Sequence, residues 1–338
     1  MMRKHISQMF FLTGLIVFLM TFCMGFVRRE EPEVSWVVVR SWRDGGLGFY
    51  RMRPDGSDVQ RLHQIPPDAI EIHISPDGRW IVYVSQRDHR AEIFRMRLDG
   101  TGKQRIAARG WRILSLDWLP DSQSLVYSTY TGADTTVIIM DADGSDLRYV
   151  TGIPQWAFAI HPSPDGEWLL FGSNFEGDEN LYRIRLDGSG MERLTQTHLA
   201  ANYGNWSPDG QHIIFTSNSE RRFGQIFRMS LADRQVERLT RTRSNYGDVS
   251  YSPDGVWLLY TRFSRWQTSV YRMRVDGSDV QLLSEHDDLD TMPQWFPMVD
   301  MPMRTGWMFA MSGLIFGAGF FVRRPPVFVV NRSGGIFR

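Results

Sequence analysis

The sequence predicts an all-β fold, a six-bladed β-propeller of four-stranded blades, flanked by N- and C-terminal transmembrane helices. Two repeated dipeptide motifs support the propeller prediction. A Pro-Asp pair recurs at intervals of 44, 44, 44 and 45 residues, at Asp77, Asp121, Asp165, Asp209 and Asp254. An Asp-Gly pair keeps the same period at Asp55, Asp99, Asp143, Asp187 and Asp276, with one degenerate copy at residues 230–235.

Each repeat contains the signals of four short strands. A first strand, such as Asn205-Trp206, leads into a Ser-Pro-Asp-Gly tetrad. Pro presets φ for a type I turn, Asp or Ser can bond the turn backbone, and Gly takes the left-handed position. An apolar second strand follows, then a polar loop and a third strand such as "IFRM". The Asp-Gly pair turns the chain into a fourth strand, and four strands in about 40–45 residues are typical of a propeller blade.

The ends of the repeat region predict how the ring closes. Five tetrad regions predict five complete blades. Residues 34–62 supply a second, third and fourth strand, whereas residues 292–295 supply a first strand with nothing after it. Joined, they make a sixth blade from the N- and C-terminal strands, which leaves no free sheet edge. The propeller is therefore expected over residues 31–303.

Apolar runs at both ends predict membrane anchors. Residues 9–27 are nearly all apolar and long enough to span a bilayer. A cleaved signal peptide is the alternative, but the residues around Cys23 fit a cleavage site poorly. The favoured interpretation is a retained signal anchor over residues 1–30. Residues 307–322 form a second, slightly short run; a buried core segment is the alternative to a transmembrane helix over residues 304–324.

Basic residues near the second run predict the orientation. The tail, residues 325–338, and the end of the run carry Arg323, Arg324, Arg332 and Arg338, so the positive-inside rule places this tail in the cytoplasm. Two spans then put both termini in the cytoplasm and the propeller outside it. We expect a cell-membrane protein with an extracytoplasmic domain.

Composition excludes several classes of function. The formal net charge is zero, which offers no electrostatic case for nucleic acid binding. The single cysteine, Cys23, lies in an apolar run, so the chain has neither an internal disulfide framework nor a candidate thiol nucleophile. A Gly-x-Ser-x-Gly nucleophile motif is missing from the sequence. We expect no cofactor.

The repeat "SPDGEWLLFGSNFEGDENLYRIRLDGSGMERLT", residues 163–195, resembles the WD40-like repeats of the TolB-like β-propeller family. Similar blades occur in the propellers of prolyl oligopeptidase-type and tricorn-type proteases. The resemblance covers residues 34–300 and implies a propeller that binds protein partners at the cell envelope. The chain departs from the family in its two apolar ends, and its length leaves no segment for TolB's α/β domain or a protease domain. The resemblance therefore indicates a membrane-anchored relative, not TolB itself.

The loops that vary between repeats are the first candidate site. Loops after second and fourth strands share one face of a propeller, and Arg and aromatic residues dominate interface hot spots. The predicted partner-binding residues after second strands are Trp42, Arg43, Arg87, His89, Tyr130, Phe175, Arg221, Arg222, Phe223, Arg262, Phe263, Arg265 and Trp266. The fourth-to-first loops add Trp111, Trp156, His198, Tyr203 and Tyr246. The alternative is that such aromatic residues pack between blades.

The central channel is the second candidate site. The position two residues before each tetrad, or its equivalent, is polar in all six blades: His73, Asp117, His161, Asn205, Ser250 and Gln294. Strand alternation points such a set toward the axis. We expect a polar ring around the channel, with Glu71 and Asp248 one pleat away.

The ring leaves a choice between a metal site and a water-filled channel. His73, Asp117 and His161 come from successive blades, and such ligands suit a divalent transition metal. The resembled family includes metal-dependent pectate-fragment lyases with histidine-lined propeller centres, but their ligand set does not match this sequence residue by residue. A hydrogen-bonded, water-filled channel without metal is the favoured interpretation.

The sequence thus predicts a non-catalytic binding module that holds its variable loops over one face of a rigid ring. A protein is the expected partner, and peptidoglycan or another envelope glycan is the second candidate. The alternative from a different class is a channel-centred lyase or hydrolase that uses His73, Asp117 and His161.

Overall fold

The computed structural model describes residues 35–87, 90–110, 112–130, 132, 134–196, 200–218, 223–264, 267–284 and 289–296. Their strands form six antiparallel sheets of four strands each, which confirms the six-bladed propeller. We number the blades I to VI. Blade I contains β4 (Ala69–Ile74), β5 (Trp80–Arg87), β6 (Arg90–Arg97) and β7 (Gln104–Gly110). Blade II contains β8 (Arg112–Trp118), β9 (Ser124–Tyr130), β10 (Thr135–Asp141) and β11 (Arg148–Val150).

The other four blades follow the same order from the inner to the outer strand. Blade III contains β12 (Phe158–Pro162), β13 (Trp168–Ser173), β14 (Asn180–Arg185) and β15 (Glu192–Arg193). Blade IV contains β16 (Ala201–Trp206), β17 (His212–Ser217), β18 (Gln225–Ser230) and β19 (Val236–Arg238). Blade V contains β20 (Asn245–Tyr251), β21 (Trp257–Phe263), β22 (Thr268–Arg274) and β23 (Gln281–Leu282). Blade VI contains β24 (Thr291–Phe296), β1 (Trp36–Ser41), β2 (Gly48–Met52) and β3 (Gln60–Arg61), with a short 3-10 turn at Arg43–Gly45.

Blade VI closes the ring as the sequence predicts. Its sheet order is β24-β1-β2-β3, so the last described strand is the inner strand of the blade that the first strands complete. Val38 of β1 pairs with Gln294 of β24, and Trp36 pairs with Phe296. The sheet edge that β1 would otherwise expose is therefore covered.

The predicted membrane segments, residues 9–27 and 307–322, lie outside the described residues. Within the part of the chain that the structure describes, no helix has the length and apolarity that a membrane span requires.

The core lies between the blades. Six buried apolar clusters each join two neighbouring blades around the ring. In the cluster between blades VI and I, for example, Phe296 and Val38 pack with Ile72 and Ile81. Second strands such as β13 and β17 are buried along nearly their whole length, because both of their faces contact a neighbouring blade.

The Ser-Pro-Asp-Gly tetrads are turns held largely by hydrogen bonds among their own residues. In blade I, Ser75 Oγ donates to Asp77 Oδ1 over 2.6 Å, and the same oxygen of Asp77 accepts from the backbone N–H of Arg79. The N–H of Trp80 donates back to Ser75 Oγ over 2.9 Å. Gly78 has φ of +70°. The tetrad aspartates are thus occupied in local hydrogen bonds, as expected for residues that make turns.

The Asp-Gly turns also join the blades. Gly144 in blade II has φ of +91°, and a Cβ there would lie 2.1 Å from the carbonyl oxygen of Ile106 in blade I. An added Cβ would likewise meet the carbonyl oxygen of Leu283 at Gly56 and that of Thr151 at Gly188, and at Gly277 it would lie 3.1 Å from that of Leu239. At Gly100 the nearest atom is Gln64 Cβ, at 2.6 Å. Glycine is needed at these positions for both its left-handed φ and the contact with the preceding blade.

The degenerate copy in blade IV forms a turn with a different hydrogen bond. Here Arg234 N–H donates to Ser230 O, four residues back, whereas in blade III Gly188 N–H donates to Arg185 O, three residues back. Arg234 takes a positive φ of 59° and forms an ion pair with Glu192 of blade III. This turn has the same length as the turn in blade III, because Arg228 pairs with Glu237 as Arg183 pairs with Glu192. The residue that makes the last tetrad interval 45 and not 44 lies between β17 and β18: Ser217 pairs with Gln225, eight positions on, whereas in blade III Ser173 pairs with Asn180, seven positions on.

Stacked arginines account for part of the basic composition, in which only Lys4 and Lys103 are lysines. In blade V, the guanidinium carbons of Arg272 and Arg274 lie 4.3 and 4.4 Å from the Trp257 ring centroid. Equivalent Arg–Trp–Arg stacks occur in blades I, III and VI, on Trp80, Trp168 and Trp36. Planar guanidinium groups stack on indole faces, which an ammonium group does less well.

Candidate functional site

The inner strand of every blade carries a β-bulge beside the channel. Each inner strand has one additional residue against its partner strand, as between Gly247 and Ser250 of β20. In four blades the bulge places a non-glycine residue in the left-handed region, with φ of 50° or 51°: Ala159, Tyr203, Asp248 and Met292. Such positions cost about 1–3 kcal/mol each and are common at functional sites, where they re-aim a side chain.

The six predicted ring residues all lie on inner strands and are half-buried. The six side chains differ in their hydrogen bonds. Gln294 Nε2 donates to the carbonyl oxygen of Ile72 over 2.7 Å, which ties blade VI to blade I. Ser250 Oγ is buried without a hydrogen-bond partner among the described residues. The remaining polar contacts concentrate on the side of blades I to III.

A chain of four titratable groups crosses blades I, II and III. Glu71 Oε1 lies 2.9 Å from His73 Nε2. Asp117 stands between two histidines: its Oδ1 is 3.6 Å from His73 Nδ1, and its Oδ2 is 2.9 Å from His161 Nδ1. The structure therefore brings together His73, Asp117 and His161, and it adds Glu71 as the partner of His73.

The charges of these titratable groups stabilise one another. Burial opposes protonation of His73, but the hydrogen bond to Glu71 and the negative charges of Asp117 and Glu71 raise its pKa above the usual histidine value. Burial also opposes ionisation of Asp117, yet the hydrogen bond from His161 and the charges of both histidines keep the pKa of Asp117 low. The arrangement favours an ionised Asp117 beside a histidine that keeps its proton readily.

Two tryptophans hold the backbone that carries these histidines. Trp118 Nε1 donates to the carbonyl oxygen of His73 over 3.2 Å, and Trp206 Nε1 donates to that of His161 over 3.1 Å. Each bond links one blade to the next at the ring position. Among the described residues, no three or more His, Cys, Asp and Glu side chains are placed to hold a metal ion together. The chain of Glu71, His73, Asp117 and His161 is suited to binding or exchanging protons.

The variable face carries most of the exposed aromatic surface. Antiparallel blades place the second-to-third and fourth-to-first connections on this face. Among the described residues it exposes the large hydrophobic side chains of Trp42, Trp156, Phe175, Tyr203, Phe263, Leu289 and Met292. The outer fourth strands and the turns before them expose a second group that is mostly aliphatic: Val59, Leu147, Tyr149, Met191, Val236, Val280 and Leu282. Aromatic residues are typical of interface hot spots, so the variable face is the stronger candidate.

Several predicted face residues have structural contacts. Arg43 Nη2 lies 2.5 Å from Asp290 Oδ2, a fully buried side chain, and so links the two chain segments of blade VI. The Tyr130 and Trp156 rings stack with centroids 5.3 Å apart. The rings of Phe175 and Tyr182 pack with centroids 5.1 Å apart, although the exposed fraction of Phe175 is still 41%. Packing against neighbours and exposure to solvent thus coexist on this face.

The structure corrects where some of the predicted loop residues lie. Tyr130 ends β9, Tyr203 and Tyr246 belong to inner strands β16 and β20, and Arg262 and Phe263 end β21. The strands are longer than predicted because their ladders continue, with Phe263 paired to both Asn245 and Thr268. Phe223 is half-buried in a connection. His89, Trp111, His198, Arg221, Arg222, Arg265, Trp266 and the side chain of Arg87 lie outside the described residues.

A cavity of about 710 Å³ opens at the bulges of blades IV, V and VI. Its lining includes Tyr203, Asp248 and Met292, the three left-handed bulge residues of those blades. The remaining lining residues are Thr216, Asn218, Gly224, Asn245, Tyr246, Gly247 and Phe263. The Phe263 ring covers Gly247, where a Cβ would lie 2.8 Å from Phe263 Cε2.

Asp248 is the carboxylate of this cavity. Its Oδ2 accepts a hydrogen bond from Thr261 Oγ1 over 2.9 Å and one from the backbone N–H of Met292 over 3.3 Å. Burial raises the pKa of Asp248, and these two hydrogen bonds only partly oppose that shift. The sequence predicts Asp248 beside the ring but does not reveal the cavity, because nothing in the repeat pattern marks the bulge that brings Tyr203, Asp248 and Met292 together.

A sequence-family comparison matches nearly the whole described region. The model of the TolB beta propeller domain matches residues 29–152 and 111–305. No curated protein sequence matches the chain.

Solved propellers share the fold at low sequence identity. TolB from Acinetobacter baumannii is 21% identical with a TM-score of 0.65; the match covers 78% of this chain and 66% of that one. A protein assigned as TolB from Agrobacterium tumefaciens is 18% identical with a TM-score of 0.61, covering 78% of this chain and 99% of that one. An oligogalacturonate lyase in complex with manganese is 14% identical with a TM-score of 0.52, covering 68% and 71%. These structures share the propeller but include both TolB and an enzyme.

Proposed function

Because the chain belongs to the TolB beta propeller domain family, we propose that it is a membrane-anchored, non-catalytic module that binds a protein on its variable face. One observation carries this proposal. Five aromatic side chains of the described residues, Trp42, Trp156, Phe175, Tyr203 and Phe263, are at least 36% exposed on that face. On the outer strands, the comparable exposed aromatic side chain is Tyr149.

Exposed aromatic rings on a rigid ring suit protein binding for a physical reason. Each ring offers a large apolar area with few rotatable bonds, so its burial gains much and loses little conformational entropy. The closed ring of six inter-blade clusters holds these side chains in place before a partner arrives, which reduces the ordering that binding requires.

Capture from envelope extracts tests the proposal. We expect the full chain to capture a partner protein and Trp156→Ala to weaken that complex by about 1–3 kcal/mol, as for a hot-spot residue. Trp156 is 53% exposed on the variable face, so its loss removes contact area without opening the core. Tyr149→Ala is the matched control, because Tyr149 is 68% exposed on the outer strand β11. The measurement is the affinity of each variant for the captured protein.

Equal affinity of Trp156→Ala and the parent, or equal losses for Trp156→Ala and Tyr149→Ala, would contradict binding at the variable face. If the protein bound a purified glycan and captured no protein, the partner would be a glycan, and the variable face would remain the proposed binding surface.

We further propose that residues 9–27 and 307–322 anchor the propeller outside the cytoplasm, with both termini inside. Cysteine accessibility in intact cells tests this topology. A cysteine at Ser189, which is exposed in the Asp-Gly turn of blade III, should react with an impermeant reagent from outside. A cysteine at Ser333 should react only after the membrane is permeabilised. Labelling of Ser333→Cys from outside would refute the proposed orientation.

The chain of Glu71, His73, Asp117 and His161 supports a second candidate, a channel-centred lyase or hydrolase. Its paired carboxylate and histidines could serve as general acid and base. One variant, His161→Ala, distinguishes between the two proposed functions. His161→Ala should leave partner affinity unchanged if the protein is a binding module. Stoichiometric transition metal in the purified protein, with turnover that His161→Ala abolishes, would favour the enzyme.

A further inference from the structure

The cavity at the bulges of blades IV, V and VI combines one carboxylate with exposed aromatic side chains. We propose that it binds a cationic side chain, a guanidinium or ammonium group presented by the protein partner, with Asp248 as the counter-charge. This inference rests on the proposed function, since it names the group by which a partner would enter the variable face.

Charge complementarity is the first argument. Asp248 is the one carboxylate among the lining residues that the structure describes, and that lining contains no basic residue. Its two described hydrogen bonds both reach Oδ2, so among the described residues Oδ1 has no donor. Arg262 of β21 pairs with the lining residue Tyr246, but its guanidinium donates to Ser244 Oγ and lies over the Tyr271 ring, and it is not part of the lining.

The aromatic walls are the second argument. Tyr203 and Phe263 line the same cavity and remain 53% and 36% exposed. Aromatic faces attract cations through their quadrupole, and arginine is the commoner partner. An acid between aromatic rings therefore favours a cation over a neutral or anionic group. The raised pKa of Asp248 agrees, because a half-buried carboxylate that lacks a counter-charge is stabilised in its ionised form by a cation.

The left-handed bulges that line the cavity are the third argument for a binding site. Tyr203, Asp248 and Met292 occupy one bulge position in three successive blades, each at φ of 50°. The bulge costs free energy at non-glycine residues, and the resulting orientation places all three in the cavity. Ring packing alone does not require this arrangement, because blades I and II contain a bulge without the left-handed residue at this position.

Ligand-observed NMR titration of the full chain in detergent tests the inference. The probes are N-acetyl-arginine amide, its neutral isostere N-acetyl-citrulline amide, and N-acetylglucosamine. We expect the arginine derivative to bind and the citrulline derivative to bind at least about 10-fold more weakly. Asp248→Asn should weaken arginine binding by about 10- to 100-fold, the effect of one charge-assisted hydrogen bond. Asparagine tolerates the left-handed φ, so this variant should retain the bulge.

Two further variants keep the test decisive. Asp44→Asn is the matched control, because Asp44 is an exposed carboxylate on the same face outside the cavity; it should leave arginine binding unchanged. Tyr203→Leu removes an exposed ring without touching the acid and should weaken binding by about 2- to 5-fold.

Equal binding of citrulline and arginine, unchanged binding to Asp248→Asn, or tighter binding of the saccharide would overturn the inference. Its failure is distinct from failure of the proposed function. If arginine does not bind while capture still depends on Trp156, the cavity assignment falls and the binding face stands.

Discussion

Phe296→Ala is expected to lower the free energy of unfolding by about 3–5 kcal/mol, the range for truncating a fully buried phenylalanine. Phe296 ends β24 and is 0% exposed. It pairs with Trp36 of β1 and packs in the cluster between blades VI and I, so its loss leaves a cavity where the two ends of the chain meet. Chemical denaturation of the purified full chain measures the change.

Met292→Ala is the control for this prediction, because Met292 lies on the same strand and is 38% exposed. We expect it to change stability by less than about 0.5 kcal/mol, as surface substitutions usually do. If the two variants were equally stable, β24 would not contribute its core side chain to ring closure in solution. Comparison of the two variants therefore distinguishes the effect of losing the ring-closing contact of Phe296 from the effect of any substitution in β24.

Gly144→Ala is expected to destabilise the protein by about 2–5 kcal/mol. Two costs add. A non-glycine residue at a left-handed φ costs about 1–2 kcal/mol, and forcing a methyl group into a packed interface costs about 1–3 kcal/mol. The second cost arises because the Cβ would lie 2.1 Å from the carbonyl oxygen of Ile106, a backbone atom of the neighbouring blade. Thermal or denaturant unfolding measures the sum.

Gly210→Ala isolates the first cost. Gly210 has φ of +67°, but no atom lies within 4 Å of the added Cβ. It should lose only about 1–2 kcal/mol. Equal losses at Gly144 and Gly210 would show that the neighbouring blade yields, and that Asp-Gly turns are not rigid contacts between blades.

The repeat made most of the fold predictable. Turn chemistry is local: the Ser75 and Asp77 side chains and Gly78 act within a few residues, so their pattern in the sequence reports the turn directly. A period of 44 residues then counts the blades, and the complementary ends predict the closing sheet. The inner-strand positions of the six predicted ring residues were predictable for a similar reason, because they recur with the tetrads at the same spacing.

The candidate site was predictable only in part. That His73, Asp117 and His161 lie on neighbouring inner strands follows from their equivalent positions in the repeat. Their order of contact, with Asp117 between the two histidines and Glu71 on His73, depends on rotamers and inter-blade spacing that no repeat pattern encodes. Arg43 illustrates the converse: it resembles a free interface arginine in sequence, but a buried Asp290 from the other end of the chain pairs with it.

By itself, the sequence determined the number of blades, their four-strand order, the closure by both ends and the face on which the loops vary. These follow from signals that act over a few residues and repeat. Only the tertiary structure decided which side chains meet across blades: the four-group chain in the channel and the cavity of Tyr203, Asp248 and Met292. The physical reason is that a bulge re-aims a side chain by one residue, and the residues it brings together lie 44 or 45 positions apart.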